Sequence, residues 1–322
     1  MNFKKIAIAA VTALAFTSSA VAAKDLRLGL ITPPSHQWSK TATEMAEEIA
    51  KETNGEINIL IFPSGQLGTE AQMMQMLQSG ALDMAFLAIG EVANRRADFG
   101  AFFAPFLVKD VDQASRLLRG ETAQKMLEDL RPLGLVGLGY GMAGMRQIVM
   151  RGKVASQQDL AGRKVRTMPI QAERDFWSKV GAAPTPIPLP SLYDAFANGQ
   201  VDGMQIDFEG TWNTRYVDHA GTVIESNHMM LPMVAVASAR TWQGLTEEQR
   251  DLIHRKAAER LDDMVKSYAT IDQDYLDKIK EHGANVIKVD RSFFGPSVDA
   301  WYEEWRAKAP SLEALEKEVA AY

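Results

Sequence analysis

The 322-residue chain has no cysteine, so neither disulfides nor thiolate metal ligands enter its chemistry. Nor has it an excess of positive charge, since 35 Lys and Arg stand against 41 Asp and Glu, a formal balance of -6. That sign disfavours nucleic acid or anionic membrane as the general partner, although a pair of arginines can still reverse the field inside one cleft. Long apolar runs are missing as well. The run Ile6 to Phe16 is too short to span a bilayer comfortably, and later apolar stretches are broken by charges. Catalytic signatures are equally absent: there is no HExxH and no GxSxG, and His36, His219, His228, His254 and His282 form no short metal-ligand run. Catalysis therefore has little support in the sequence, and neither a cofactor nor a metal site is expected.

What is present begins with an export signal. Lys4 and Lys5 precede the apolar run and Ala20-Val21-Ala22 offers small residues for cleavage, so residues 1–22 read as a signal peptide. The formal charge of -6 becomes -8 once those two lysines leave with it. About 300 residues remain, more than one ordinary core organises, and two domains are expected. The 46% hydrophobic and 24% charged shares are those of a folded globular chain.

Asp25 to Ile31, Glu56 to Phe62 and Ala81 to Ala88 predict strands, separated by helical spacing over His36 to Glu52 and Glu70 to Gln78. This alternation predicts a parallel sheet covered by helices, and ligands in such sheets collect at strand carboxyl ends, which brings His36, Gln37 and Trp38 into view. The apolar stretch Ala101 to Val108 reads as core or as a partner patch. Gly139 to Gly144 has the spacing of a dinucleotide fingerprint, but the strand-like MRQIVMR follows it where a helix is required. A flexible or close-packed crossing is the better reading. A second alternation follows, with strands at Arg163 to Met168 and Gly199 to Asp207, and helices at Gln171 to Val180, near Ser191 and from Glu209. Met229 to Ala239 reads as a buried strand bent at Pro232. Thr246 and Gln249 then form a capping box, and helical spacing persists to Gly283, about 50 Å of helix and long enough to lie across two domains. Asn285 to Val289 returns as a strand, and a helical tail runs from Ser297 to Val319.

Arg146 and Arg166 stand in or beside apolar strand runs. Desolvating a guanidinium is unfavourable unless a carboxylate or carbonyl receives its donors, so something anionic is expected nearby. Asp207 and Glu209 follow a third apolar run, where they accept hydrogen bonds from hydroxyls, pair with an ammonium, or start a helix. Trp212 and Tyr193 offer faces to a ring or polyol, or pack within their own domain.

The runs KETNGEINILIFPSGQLGTEAQM, LQSGALDM, QDLAGRKVRTMP and VGAAPTPIPLPSLYDAFANGQVDG, in that order, resemble the DctP-type periplasmic solute-binding component of tripartite ATP-independent (TRAP) transporters. The resemblance covers essentially the whole mature chain. It implies a two-domain α/β periplasmic binding protein with crossing strands and a long domain-spanning helix, domain I at 23–143 with 231–271 and domain II at 144–230 with 272–322. It also implies a periplasmic receptor that closes around one small organic anion and hands it to small and large integral-membrane permease subunits. By the same resemblance Arg166 takes the place of the principal carboxylate-binding arginine, and Arg146 that of a second arginine. Leu189 stands where many relatives have a ring, and Met204-Gln205-Ile206-Asp207-Phe208-Glu209 replaces a Gln-Glu-Asn-Pro type run. Ile206 lacks an amide, and Asp207 or Glu209 would repel an unpaired second carboxylate, so the expected ligand is a hydroxylated or amino monocarboxylate such as a sugar acid. Its donor-bearing end is expected to face Asp207, with Gln205, Glu209 or Trp212 nearby. The alternatives are a C4-dicarboxylate receptor, a ligand-loaded sensor, and a periplasmic enzyme built from Asp207, Glu209 and a histidine.

Overall fold

The computed structural model describes residues 23–322, so the signal peptide lies outside the described residues. The first alternation forms as its spacing predicts, with β1 (Lys24–Gly29), α1 (Gln37–Glu52), β2 (Ile57–Phe62), α2 (Glu70–Ser79) and β3 (Met84–Ala88). Three shorter helices, α3 (Ile89–Ala93), α4 (Val111–Arg119) and α5 (Glu121–Glu128), lead to β4 (Leu135–Met150). The second alternation supplies β5 (Lys164–Thr167), α6 (Gln171–Val180), β6 (Ala183–Pro186), α7 (Leu192–Ala197), β7 (Gly203–Ile206) and α8 (Phe208–Asn213). Then come β8 (Thr222–Ser238), α9 (Ala239–Gln243), α10 (Glu247–Glu281), β9 (Val286–Lys288), α11 (Ser297–Lys308) and α12 (Leu312–Ala320). Among the described residues no helix is long and apolar enough to cross a membrane.

Each alternation builds a parallel group, β1 between β2 and β3, and β5 between β6 and β7. Two long strands join the groups into one sheet. β4 and β8 run antiparallel side by side, giving the order β2-β1-β3-β8-β4-β7-β5-β6 with β9 on β8. The glycines of GYGMAG read as a crossing before the strand-like MRQIVMR, yet β4 runs unbroken from one into the other. They mark bulges instead, with the β4–β8 register shifting between Gly137 and Gly139 and between Met142 and Met145. β8 begins earlier than its apolar run, since Glu225, Ser226 and His228 are buried polar residues inside the strand. The apolar stretch after Ala97 is core: Phe99, Phe102 and Phe103 are fully buried.

The 35-residue α10, about 52 Å long, starts at the Thr246–Gln249 capping box and lies along β4. Glycine permits that approach. A Cβ at Gly141 would stand 2.7 Å from the Met264 sulfur and 2.9 Å from Met233, and one at Gly139 would stand 3.0 Å from Leu261. At Gly144 the backbone is left-handed (φ +60°) and the space a side chain would fill holds the Asp272 carboxylate. Asp272 Oδ2 accepts the Met145 N–H at 3.1 Å.

Two outcomes follow from this contact. Gly141→Val should cost about 1–3 kcal/mol of stability through overpacking, read from chemical denaturation midpoints. Asp272 is held near pKa 7 against an ordinary 3.8, mainly by burial and against the pull of the Met145 N–H. The folded state thus keeps a proton that the unfolded chain releases, so this group's stabilisation is complete below its ordinary value and is lost as pH rises through 7. Asp272→Asn should gain stability over the wild type between pH 4 and pH 8; parallel denaturation curves at all pH values would contradict that.

Candidate functional site

The carboxyl ends of β1, β3, β5 and β7 converge on two adjoining cavities. One, about 170 Å³, is lined by Thr69, Glu70, Glu91, Arg166 and a wall of Pro169, Pro188, Leu189 and Pro190. The other, about 50 Å³, is lined by Thr32, His36, Trp38, Arg146, Asp207 and Ile206, among others. Ile31, Arg166, Met168 and Leu189 belong to both, which puts Arg166 at the seam. Its guanidinium is 1% exposed, and Nε donates to the Ile187 carbonyl at 2.8 Å. Among the described residues no carboxylate forms an ion pair with it. Burial pushes its pKa down to about 10, so the group remains charged at neutral pH and requires an anion.

Arg146, 2% exposed, is arranged differently. Its Nη1 meets Asp207 Oδ2 at 2.9 Å and its Nη2 donates to the Gln205 carbonyl at 3.0 Å. Asp207 is also the N-cap of α8, with Oδ1 accepting the Gly210 N–H at 2.6 Å. Both its oxygens are thus committed to the protein. The free acceptor anticipated at this position is largely neutralised by Arg146, even though Asp207 borders the smaller cavity. Gln205 is fully buried behind it: Oε1 accepts from Trp177 Nε1 at 2.6 Å and from His228 Nε2 at 3.0 Å. His228 is held neutral, its pKa pushed down to about 3 by burial and then by Arg146.

Glu209 serves the frame. Oε1 accepts the Gln37 N–H at the start of α1 at 2.9 Å, and Oε2 accepts the Tyr268 hydroxyl of α10 at 2.7 Å. Burial raises its pKa, opposed by His36. His36, Asp207 and Glu209 bring ligand-capable atoms within 4.8 Å of one another. They are nevertheless a hydrogen-bond set: His36 Nδ1 caps the Trp38 N–H at 3.1 Å, which leaves the ring proton on Nε2 towards Glu209 at 3.5 Å, and Asp207 is already spent. Of the two readings open for Trp212 and Tyr193, the packing follows the second. Trp212 packs edge-on to His282, and Tyr193, 40% exposed, sits against Tyr216 and His219, because α7 and α8 turn those faces to their own half of the molecule. Neither lines the cavities.

The family model for bacterial extracellular solute-binding protein, family 7 (DctP), matches residues 28–308. The chain belongs to this family. The sugar acid binding protein of Advenella mimigardefordensis, solved with galactonate, superimposes with a TM-score of 0.89 at 25% identity, covering 93% of this chain and 98% of that one. A TRAP solute-binding protein of Xanthobacter autotrophicus with bound β-D-galacturonate gives 0.86 at 25%, covering 92% and 99%. The 2,3-diketo-L-gulonate-binding periplasmic protein of Escherichia coli is 25% identical over 286 residues, 88% of this chain and 87% of that relative. This TRAP receptor is accordingly a periplasmic solute-binding protein, and its family and fold are those of binding proteins, not enzymes.

Three acids in or beside the receptor's cavities escaped the sequence reading: Glu91, which lines the larger cavity, Glu70 and Glu173. Glu70 stands at the first position of α2 after the Thr69 cap, and Glu173 at the third position of α6. Both helices follow strands of the sheet, so their amino ends belong at its ligand-binding edge. That positional rule was the available signal. Glu173 Oε2 accepts the Met168 N–H at 2.8 Å, and burial raises its pKa against the pull of Arg146 and Arg166. Asp207→Ala should cost about 3–5 kcal/mol, because it leaves Arg146 buried without its counter-ion. Asp207→Asn keeps an acceptor for Gly210 and should lose less, by the ~0.5–2 kcal/mol of an N-cap; urea denaturation of the two variants separates charge from cap.

Proposed function

We propose that this receptor captures a hydroxylated monocarboxylate of the sugar-acid class on Arg166 and delivers it to small and large TRAP permease subunits in the membrane. The observation that carries the reading is the charged Arg166 fork, buried at the seam of the cavities without a carboxylate of its own. A ligand carboxylate supplies the missing charge, and a planar guanidinium orients it through paired hydrogen bonds. Support comes from similar receptors that take galactonate, galacturonate and 2,3-diketo-L-gulonate, each a single carboxylate on a hydroxylated chain or ring. Among the described residues Arg166 is the cavity cation without an ion-paired carboxylate, and several acids stand around it, which suits one ligand anion better than two.

In this reading residues 23–143 with 231–271 and 144–230 with 272–322 act as lobes that open for entry and close over the ligand. Contacts between those halves include Glu209 with Gln37, and Asn94 Nδ2 donating to the Pro169 carbonyl at 2.9 Å. Gly90 lies so close to Ile170 that any side chain there would collide. Arg146 has its carboxylate already and serves chiefly to hold Asp207 and the β7–α8 turn.

Calorimetry should find galacturonate or galactonate bound in preference to succinate, malate and fumarate. Arg166→Ala and Arg166→Lys should each lose about 2–5 kcal/mol of binding with unchanged circular dichroism. A preference for a dicarboxylate, or near-native affinity in both variants, would overturn the assignment.

A further inference from the structure

The larger cavity has a second polar end. Glu70 enters it from the start of α2, and the carboxyl is not free to swing, because Oε1 accepts the N–H of Ala88 at the end of β3 at 2.6 Å. That bond spends one oxygen and leaves Oε2 without a hydrogen-bond partner among the described residues. Arg166 borders the same space, and the rest of the lining is largely apolar: Ile31, Ala71, Met168, Pro188, Leu189 and Pro190. The other acid there, Glu91, is already paired with Arg95. A ligand whose carboxylate rests on Arg166 therefore meets, along this arm, one fixed oxygen that lacks a partner.

We infer that Glu70 is a specificity-determining residue that hydrogen-bonds a hydroxyl on the ligand's far end, while Arg166 holds the carboxylate. The inference rests on the sugar-acid reading and moves the donor-recognising role from Asp207, whose oxygens are committed, to Glu70. Burial and the neighbouring Glu91 push the Glu70 pKa up to about 8, against the pull of Ala88 N–H and Arg166. A carboxyl that keeps its proton does not neutralise Arg166, and it offers a ligand hydroxyl both a donor and an acceptor. A site with such a fixed group discriminates against an analogue lacking the matching hydroxyl, because the half-buried carboxyl is then left unpaired inside the cavity.

The experiment combines hydroxyl deletion in the ligand with carboxyl deletion in the protein. D-galacturonate and its single-position deoxy analogues are titrated calorimetrically against wild type, Glu70→Leu and Glu70→Gln, with circular dichroism to confirm folding. In the wild type one deoxy position should weaken binding at least tenfold. Glu70→Leu should weaken the parent sugar acid by a similar factor and be indifferent to that one deletion, whereas Glu70→Gln, which keeps a donor, an acceptor and the bond from Ala88, should retain most of the affinity. Additive losses at every position would overturn the inference while leaving the sugar-acid reading standing. A wild type that binds neither galacturonate nor galactonate would remove that reading and this inference with it.

Discussion

A buried guanidinium needs an anion within reach, and the two arginines of this cavity meet that requirement in different ways. Arg146 is answered from within the protein by Asp207 and by the Gln205 carbonyl. Among the described residues Arg166 donates to the Ile187 carbonyl and meets no carboxylate in an ion pair. In the proposed reading a ligand anion completes its charge balance, and binding repairs an electrostatic deficit that folding leaves open. Around Arg166 the sheet is arranged so that four strand ends face the two adjoining cavities.

The neighbouring acids answer that charge weakly, because each is occupied by another partner or pushed towards its protonated form by burial. Asp207 is bound to Arg146 and to a helix start, Glu209 to α1 and α10, and Glu91 to Arg95. Glu173 and Glu70 lean towards protonation as they lose water. His228, which in another setting would add a positive charge beside the arginines, is kept neutral by the same desolvation. Low polarity thus biases which groups stay charged, and among the described residues Arg166 borders the larger cavity with no carboxylate in an ion pair.

The mechanical frame depends on β4 and β8, which join the two parallel strand groups into one sheet, and on α10, which lies along β4. Glycines at 139 and 141 bring α10 against β4, and the left-handed Gly144 accommodates Asp272 beside a bulge. Long strands interrupted by bulges bend more readily than a regular ladder, so a single sheet can couple two halves without fusing them into one rigid core.

The alternation of apolar runs and capped helices was legible throughout, since strand and helix periods are local properties of sequence. α6, the long α10 and the short strand near Val286 lie where their spacing predicts, and the glycine pattern was correctly set aside as a nucleotide loop because no helix follows it. β8 was truncated in the reading because its buried Glu225, Ser226 and His228 look like surface residues until their partners are known. The site divided along the same line. Sequence alone determined that two arginines lie in apolar surroundings and so need anions; it could not determine which of them finds one inside the chain, because Asp207 and Arg146 are brought together only by the pairing of β4 with β7. Likewise Glu70 reads as an ordinary first-turn acid, and only the packing of α2 against the end of β3 aims it into the cavity. Charge and period are written residue by residue, whereas the counter-ion of a buried charge is a fact of distance, and distance between remote residues exists only once the chain has folded.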